Sequence, residues 1–308
     1  MKLVAFLLLA CAALAQAQEG RFAFATRAEA RALLGDQDDY VRATAPLERS
    51  LVLRAPGKVD PGQFAAAMAD EARDWTKEER AALAPVLARL EPFLAAQKWQ
   101  EPRRIQLIKA DRRLMNGFPH TRANAIILPH EALRDAMQNP ELMDYLLAHE
   151  AFHVMSRANP VLREALYRAI GFNACESVEL PPDLAPLRLT NPDAPVSRHA
   201  ITARRGQRRV EVVPFVHLNS AQVEPAAGFM TQMRTVWLPV ERQGSRCSAG
   251  GERLGLDDLE GVYEQVGRNT AYLIHPEEIL ADNFAYLFRP AQNLASPEIL
   301  ERMRRILQ

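Results

Sequence analysis

The sequence predicts an α+β protein. Three observations carry that expectation. Helix-start signatures dominate residues 22–100, alternating apolar segments at 104–109 and 124–129 read as strands, and an uninterrupted helix opens at Pro140 soon after them. The 308 residues carry 38 basic and 38 acidic side chains, and this balance gives no sign of a polyanionic partner such as nucleic acid.

The chain opens with Met1-Lys2, about a dozen mostly apolar residues to Leu14, and the small-x-small step Ala15-Gln16-Ala17. Residues 1–17 therefore read as a secretory signal peptide, too short for a membrane span, and the mature chain is expected to be soluble in the periplasm or secreted. The stretch Leu8-Leu9-Ala10-Cys11 also resembles a bacterial lipobox, which would make the protein an envelope lipoprotein anchored through Cys11. Two cysteines remain after the leader. Export and an even pair point to one disulfide, Cys175–Cys247, closing a loop of about 72 residues and worth up to about 4 kcal/mol.

Residues 18–103 form a helical N-terminal region in this reading. Thr26-x-x-Glu29 and Thr76-x-x-Glu79 have capping-box form, and Asp60-Pro61 opens a helix through Phe64, Ala67, Met68 and Trp75. Pro85 and Pro92 should kink or break the helix at 77–97. No convergent chemistry stands in this region.

Strands at 104–109 and 124–129 follow and then the helix from Pro140, an order that resembles zinc peptidases. The resemblance implies that the second strand lies at a sheet edge where an extended substrate could pair with it, the alternative being a purely structural sheet. Residues 158–200, rich in Pro, Asn and Asp, read as irregular, while 209–218 and 232–240 read as strands. The segment 158–262 is thus an insertion containing a β layer. Arg204–Arg209 reads as a solvated turn about Gly206, and His199 and His217 as surface or core residues rather than ligands.

The chemistry concentrates in Pro140–Arg157. Asn139 can cap this helix, Pro140 suits its first position and Glu141 favours its positive end. His149 and His153 stand four apart, so their imidazoles leave one face a turn apart and can hold one zinc ion. Glu150 sits at the edge of that face, placed for a water on the metal. Residues 146–155 carry no charge besides Glu150, so the helix is buried and its polar groups need partners.

A catalytic zinc needs a third protein ligand and an open position. Downstream, Pro276 opens a helix on which Glu278 and Asp282 share a face, with small Ala281 and Ala285 beside them. Packed against the histidine face, Glu278 would ligate the metal, while Asp282 would accept the free ring N–H of a ligand histidine. Glu277 is an alternative ligand that points to a different side.

His149-Glu150-Ala151-Phe152-His153 followed by Glu278-Ile279-Leu280-Ala281-Asp282 resembles the gluzincin group of zinc metallopeptidases over roughly 104–156 and 262–290. The resemblance implies a zincin-like catalytic domain over 104–308 with the long insertion, one Zn2+ ion and no organic cofactor. It implies an exported peptidase that hydrolyses peptide or protein substrates through a zinc-activated water, with Glu150 as general base. The gap between the two motifs is longer than in thermolysin-like members, so the branch would be divergent. The second oxyanion donor could be Tyr272, His275, Tyr263 or Arg268, with Tyr272 preferred. A zinc-containing, non-catalytic envelope scaffold and a zinc hydrolase of another amide or ester are the alternatives.

Overall fold

In the computed structural model, residues 20–99, 101–111, 117–222, 224 and 229–308 are described; the expected leader, with Cys11, lies outside them. The N-terminal part runs β1 (Phe22–Phe24), α1 (Arg27–Leu34), α2 (Asp39–Ala43), α3 (Pro46–Leu53), α4 (Pro61–Asp70), β2 (Ala72–Arg73) and α5 (Lys77–Ala95). The capping boxes of Thr26 with Glu29 and Thr76 with Glu79 both form and start α1 and α5. Two expectations need correction. Helix α4 ends at Asp70, and Trp75 instead donates from its indole to Leu107 O at 3.0 Å. Helix α5 is not broken at Pro85 or Pro92 and runs from Lys77 to Ala95, its buried Leu83, Val86, Leu90 and Leu94 holding it against the core despite the lost hydrogen bonds.

Next come β3 (Ile105–Ala110), β4 (His120–Arg122), β5 (Ala125–Pro129), α6 (His130–Gln138), α7 (Pro140–Ala158) and α8 (Pro160–Ala169). The first sheet has the order β1-β3-β5-β4, with β2 also beside β3. Strands β1, β3 and β5 are parallel, and β4 runs antiparallel to β5. The N-terminal region is therefore woven into this sheet through β1 and β2. The edge expectation also changes: the chain reverses at Ala123 (φ 49°), so β5 lies inside and β4 takes the edge. Helix α8 replaces part of the irregular stretch expected after 158; Pro160 fits its first turn and Leu166 and Tyr167 bury its inner face.

The insertion holds β6 (Phe172–Ala174), β7 (Val178–Glu179), β8 (His199–Arg205), β9 (Arg208–Leu218), α9 (Phe229–Gln232), β10 (Met233–Gln243) and β11 (Arg246–Ala249). They form a second sheet of order β6-β8-β9-β10-β11-β7. Gly206, at φ 59°, closes the β8–β9 turn in the left-handed region that glycine tolerates. Cys175 and Cys247 form the expected disulfide, with Cα atoms 5.8 Å apart. Short α10 (Tyr263–Val266), α11 (Pro276–Phe288) and α12 (Pro297–Leu307) complete the chain. Among the described residues no helix is long and apolar enough to cross a membrane.

The largest apolar cluster joins α5, the first sheet, α7, α11 and α12. Phe152 of α7 and Phe284 of α11 stand 5.3 Å apart, ring centre to ring centre, with Trp99 edge-on to both. Burial of each such ring contributes about 1.5–3 kcal/mol. Fully buried Ala148, Ala151, Ala281 and Ala285 belong to the same cluster and leave room for close helix approach. This packing brings two helices more than a hundred residues apart in sequence into register.

Candidate metal centre

The site is built where the middle of α7 meets the first turns of α11. Asn139 caps α7 by accepting from the backbone N–H groups of Glu141 and Leu142. His275 caps α11, its Nδ1 accepting from Glu277 N at 3.1 Å, and Pro276 takes the first helical position. The acids at the start of α11 also lie at the favourable end of its dipole.

One ligand atom from each of His149, His153 and Glu278 lies within 4.8 Å of the other two. Glu278 Oε2 is 3.3 Å from His149 Nε2 and 3.6 Å from His153 Nε2. Donors 2.0–2.1 Å from a tetrahedral zinc stand about 3.4 Å from one another, so the spacing suits such an ion. His153 Nε2 is buried and without a hydrogen-bond partner. A neutral imidazole nitrogen left this way costs free energy unless something binds it. The three donors fit a divalent cation.

A ring of partners fixes the donors. Asp282 Oδ1 lies 2.8 Å from His149 Nδ1 and accepts from Tyr145 OH at 2.5 Å, while Thr270 Oγ1 donates to Oδ2. Glu277 Oε1 lies 3.2 Å from His153 Nδ1, and its other oxygen accepts from Ser156 Oγ at 2.8 Å and from Tyr167 OH. Asn191 donates to Glu278 Oε1 at 2.6 Å. Each imidazole thus has a carboxylate near its Nδ1, hydrogen-bonded in the case of His153 and close but not aligned for a hydrogen bond in the case of His149. Such partners orient Nε2 towards a metal.

Electrostatics follow from this crowding. Burial opposes the charge on His149, yet Asp282 and Glu278 lift its pKa to about 10, and Glu278 above all holds His153 well above its ordinary value. Burial likewise opposes ionisation of Glu278, but His153 and His149 hold its carboxyl well below the usual range. The pocket favours positive charge, whether protons or a metal cation.

Glu150 is buried beside the two histidines, with Oε2 unpartnered. Burial first, and then the charge of Asp193, pushes its pKa up to about 8. Glu150, His153 and Asp193 form a second group of potential ligands within 4.8 Å. Asp193 Oδ1 accepts from the backbone N–H and the hydroxyl of Thr121, both at 2.6 Å. Thr121 lies on β4, so Asp193 already occupies a donor at the sheet edge that an added substrate strand would need.

A cavity of about 370 Å³ opens over Glu150, His149 and Glu278. Leu142, Leu146, Val216, Met230 and Met233 supply apolar walls, and among the described residues no lysine or arginine lines it. Tyr272 lines it and is half exposed. Burial and the charge of Glu278 raise its pKa, so its hydroxyl keeps its proton. The other oxyanion candidates are elsewhere: the Arg268 guanidinium stacks 3.8 Å from the Tyr263 ring centre, and His275 is buried at the α11 cap, outside this cavity.

The structure brings together His149, Glu150, His153, Glu278, Asp282 and Tyr272, as the sequence leads one to expect. His199 and His217 are core residues: His199 Nε2 meets Glu164 at 3.0 Å, and His217 Nδ1 lies 2.7 Å from Leu218 O. Sequence reasoning missed Glu277 as the partner of His153, and Tyr145, Thr270, Asn191 and Asp193 altogether. The helical period could have offered Tyr145, four residues before His149, and Ser156, three after His153, whereas Thr270, Asn191 and Asp193 come from distant segments that carry no signal. Comparison with protein-family models, with curated proteins and with solved structures finds no match.

Proposed function

We propose that the chain is an exported zinc-dependent peptidase of the gluzincin type. The observation that carries this reading is the approach of His149, His153 and Glu278 at zinc-ligand spacing, with buried, unpartnered Glu150 beside them. When bound, zinc would act as a Lewis acid that lowers the pKa of a water towards about 7 and polarises a substrate carbonyl.

The protein's own groups supply the rest. Glu150 Oε2 takes a proton from the attacking water and returns it to the leaving amine. Asp282 and Glu277 orient the imidazoles of His149 and His153. Tyr272, which lines the cavity with its hydroxyl protonated, would steady negative charge on the carbonyl oxygen. The apolar walls exclude water and receive a substrate side chain. The disulfide supports export to an oxidising compartment.

The test is hydrolysis of unmodified peptides by chelator-stripped protein, with and without added zinc, and by Glu150→Gln. Zinc should restore cleavage to the wild type, whereas the variant should bind zinc and leave the peptides intact. If zinc-loaded wild type cleaves nothing, the scaffold or other-hydrolase alternatives take its place.

A further inference from the structure

A second cavity, about 460 Å³, shares Pro192 and Asp193 with the metal cleft but is lined by His275 and Glu277 rather than Glu278. Five arginines stand in its wall: Arg42, Arg122, Arg157, Arg163 and Arg198. The acids there are mostly spent. Asp38 pairs with Arg122 at 2.8 Å and Asp39 with Arg42 at 2.6 Å. Glu277 is held by His153, Ser156 and Tyr167, and Asp193 by Thr121. Exposed Asp36 is the remaining carboxylate of the lining.

The five carboxylates of the lining balance its five arginines in number, but Arg157, Arg163 and Arg198 are not closely paired with any of them. Arg157 donates only to the carbonyls of Ala123 and Asp193 and the Thr121 hydroxyl. The nearest carboxylate to Arg163 is Glu164 at 3.9 Å, and Arg163 Nε is buried without a partner. Arg198 has no side-chain partner among the described residues.

His275 adds a second, independent sign. Its Nδ1 accepts from Glu277 N, so the ring proton of the neutral form sits on Nε2. The residue is 4% exposed, and Nε2 is buried without an acceptor. Buried donors without acceptors are rare in folded proteins. Guanidinium groups and a fixed N–H around one cavity match the planar or tetrahedral oxygens of an anion.

We propose that this cavity binds an oxyanion, held by Arg163, Arg198 and His275 Nε2–H. The same chemistry would take inorganic phosphate or the α-carboxylate of a peptide. This inference does not depend on peptidase activity.

The test is calorimetric titration of the full chain, with and without zinc, using three probes: inorganic phosphate, an N-acetylated tripeptide with a free carboxylate, and its C-terminal amide. Saturable binding of phosphate, or of the free-carboxylate peptide over its amide, is expected, unchanged by zinc. Whichever binds more tightly names the source of the anion. Arg163→Gln and Arg198→Gln, both at partly exposed positions, should each weaken binding at least about tenfold while the thermal unfolding midpoint stays put. Absence of saturable binding by either anion, or wild-type affinity in either variant, would overturn the proposal.

Discussion

Two cavities meet the start of α11, and residues of a single turn are divided between them. Glu278 faces the cleft whose lining acids are Glu150, Asp193 and Glu278, with no lysine or arginine among the described residues. Glu277 and His275 line the other, where five arginines stand. Consecutive positions on a helix point about 100° apart, so adjacent acids reach different surroundings. One becomes a candidate metal ligand, and its neighbour secures the histidine that completes the set. The first cavity gathers acids and histidines with no lysine or arginine among the described residues, while the second sets five arginines among as many carboxylates, within one stretch of chain.

The largest effect expected from breaking this division is on catalysis. Glu150→Gln should lower peptide hydrolysis by roughly 10²–10⁴-fold while zinc content stays at one ion per chain. Loss of zinc in that variant would make Glu150 a ligand instead. Next comes the adjacent pair. Glu278→Ala should weaken zinc binding more than about a hundredfold in a competition titration, and Glu277→Gln about 10- to 100-fold, because a partner behind a ligand matters less than the ligand. Equal losses would erase the distinction between the two acids. Asp282→Asn should fall in the range of Glu277→Gln, and Tyr145→Phe, which removes one donor to Asp282, below about tenfold.

The smallest effect on the site itself concerns the segment between the cavities. Thr190, just before Asn191 and Asp193, donates from its backbone N–H at 2.7 Å and its hydroxyl at 2.9 Å to buried Glu48. Burial raises the Glu48 pKa to about 7. A carboxyl with a folded pKa above its unfolded value contributes stability that is fully present below about pH 4.5 and lost as pH rises through 7. Between those limits wild type should lose up to about 3 kcal/mol relative to Glu48→Gln in chemical unfolding. Parallel pH profiles would remove Glu48 from the account.

Much of the candidate site is legible in the sequence because its residues repeat at helical spacing. His149 with His153, and Glu278 with Asp282, are four-residue pairs on uninterrupted helices, each opened by a proline and a capping residue. The helix starts at Thr26, Asp60 and Thr76 are legible for the same local reason. What stays hidden is set by tertiary contact. Asn191 and Asp193 come from a proline-rich stretch without periodicity, and only the packed structure brings them to Glu278 and Thr121. The order β3-β5-β4 depends on which strand the chain lays down last in space, which alternation does not encode. Helix α8 is masked by the proline that begins it.

The central claim is that His149, His153 and Glu278 surround one cation. Zinc titration of chelator-stripped protein, read by zinc-edge X-ray absorption, tests it most directly. The expected result is one ion per chain with two imidazole nitrogens and a carboxylate oxygen in its shell, lost in His153→Ala and Glu278→Ala. An ion retained at full occupancy in both variants, or no tightly bound ion in the wild type, would contradict it.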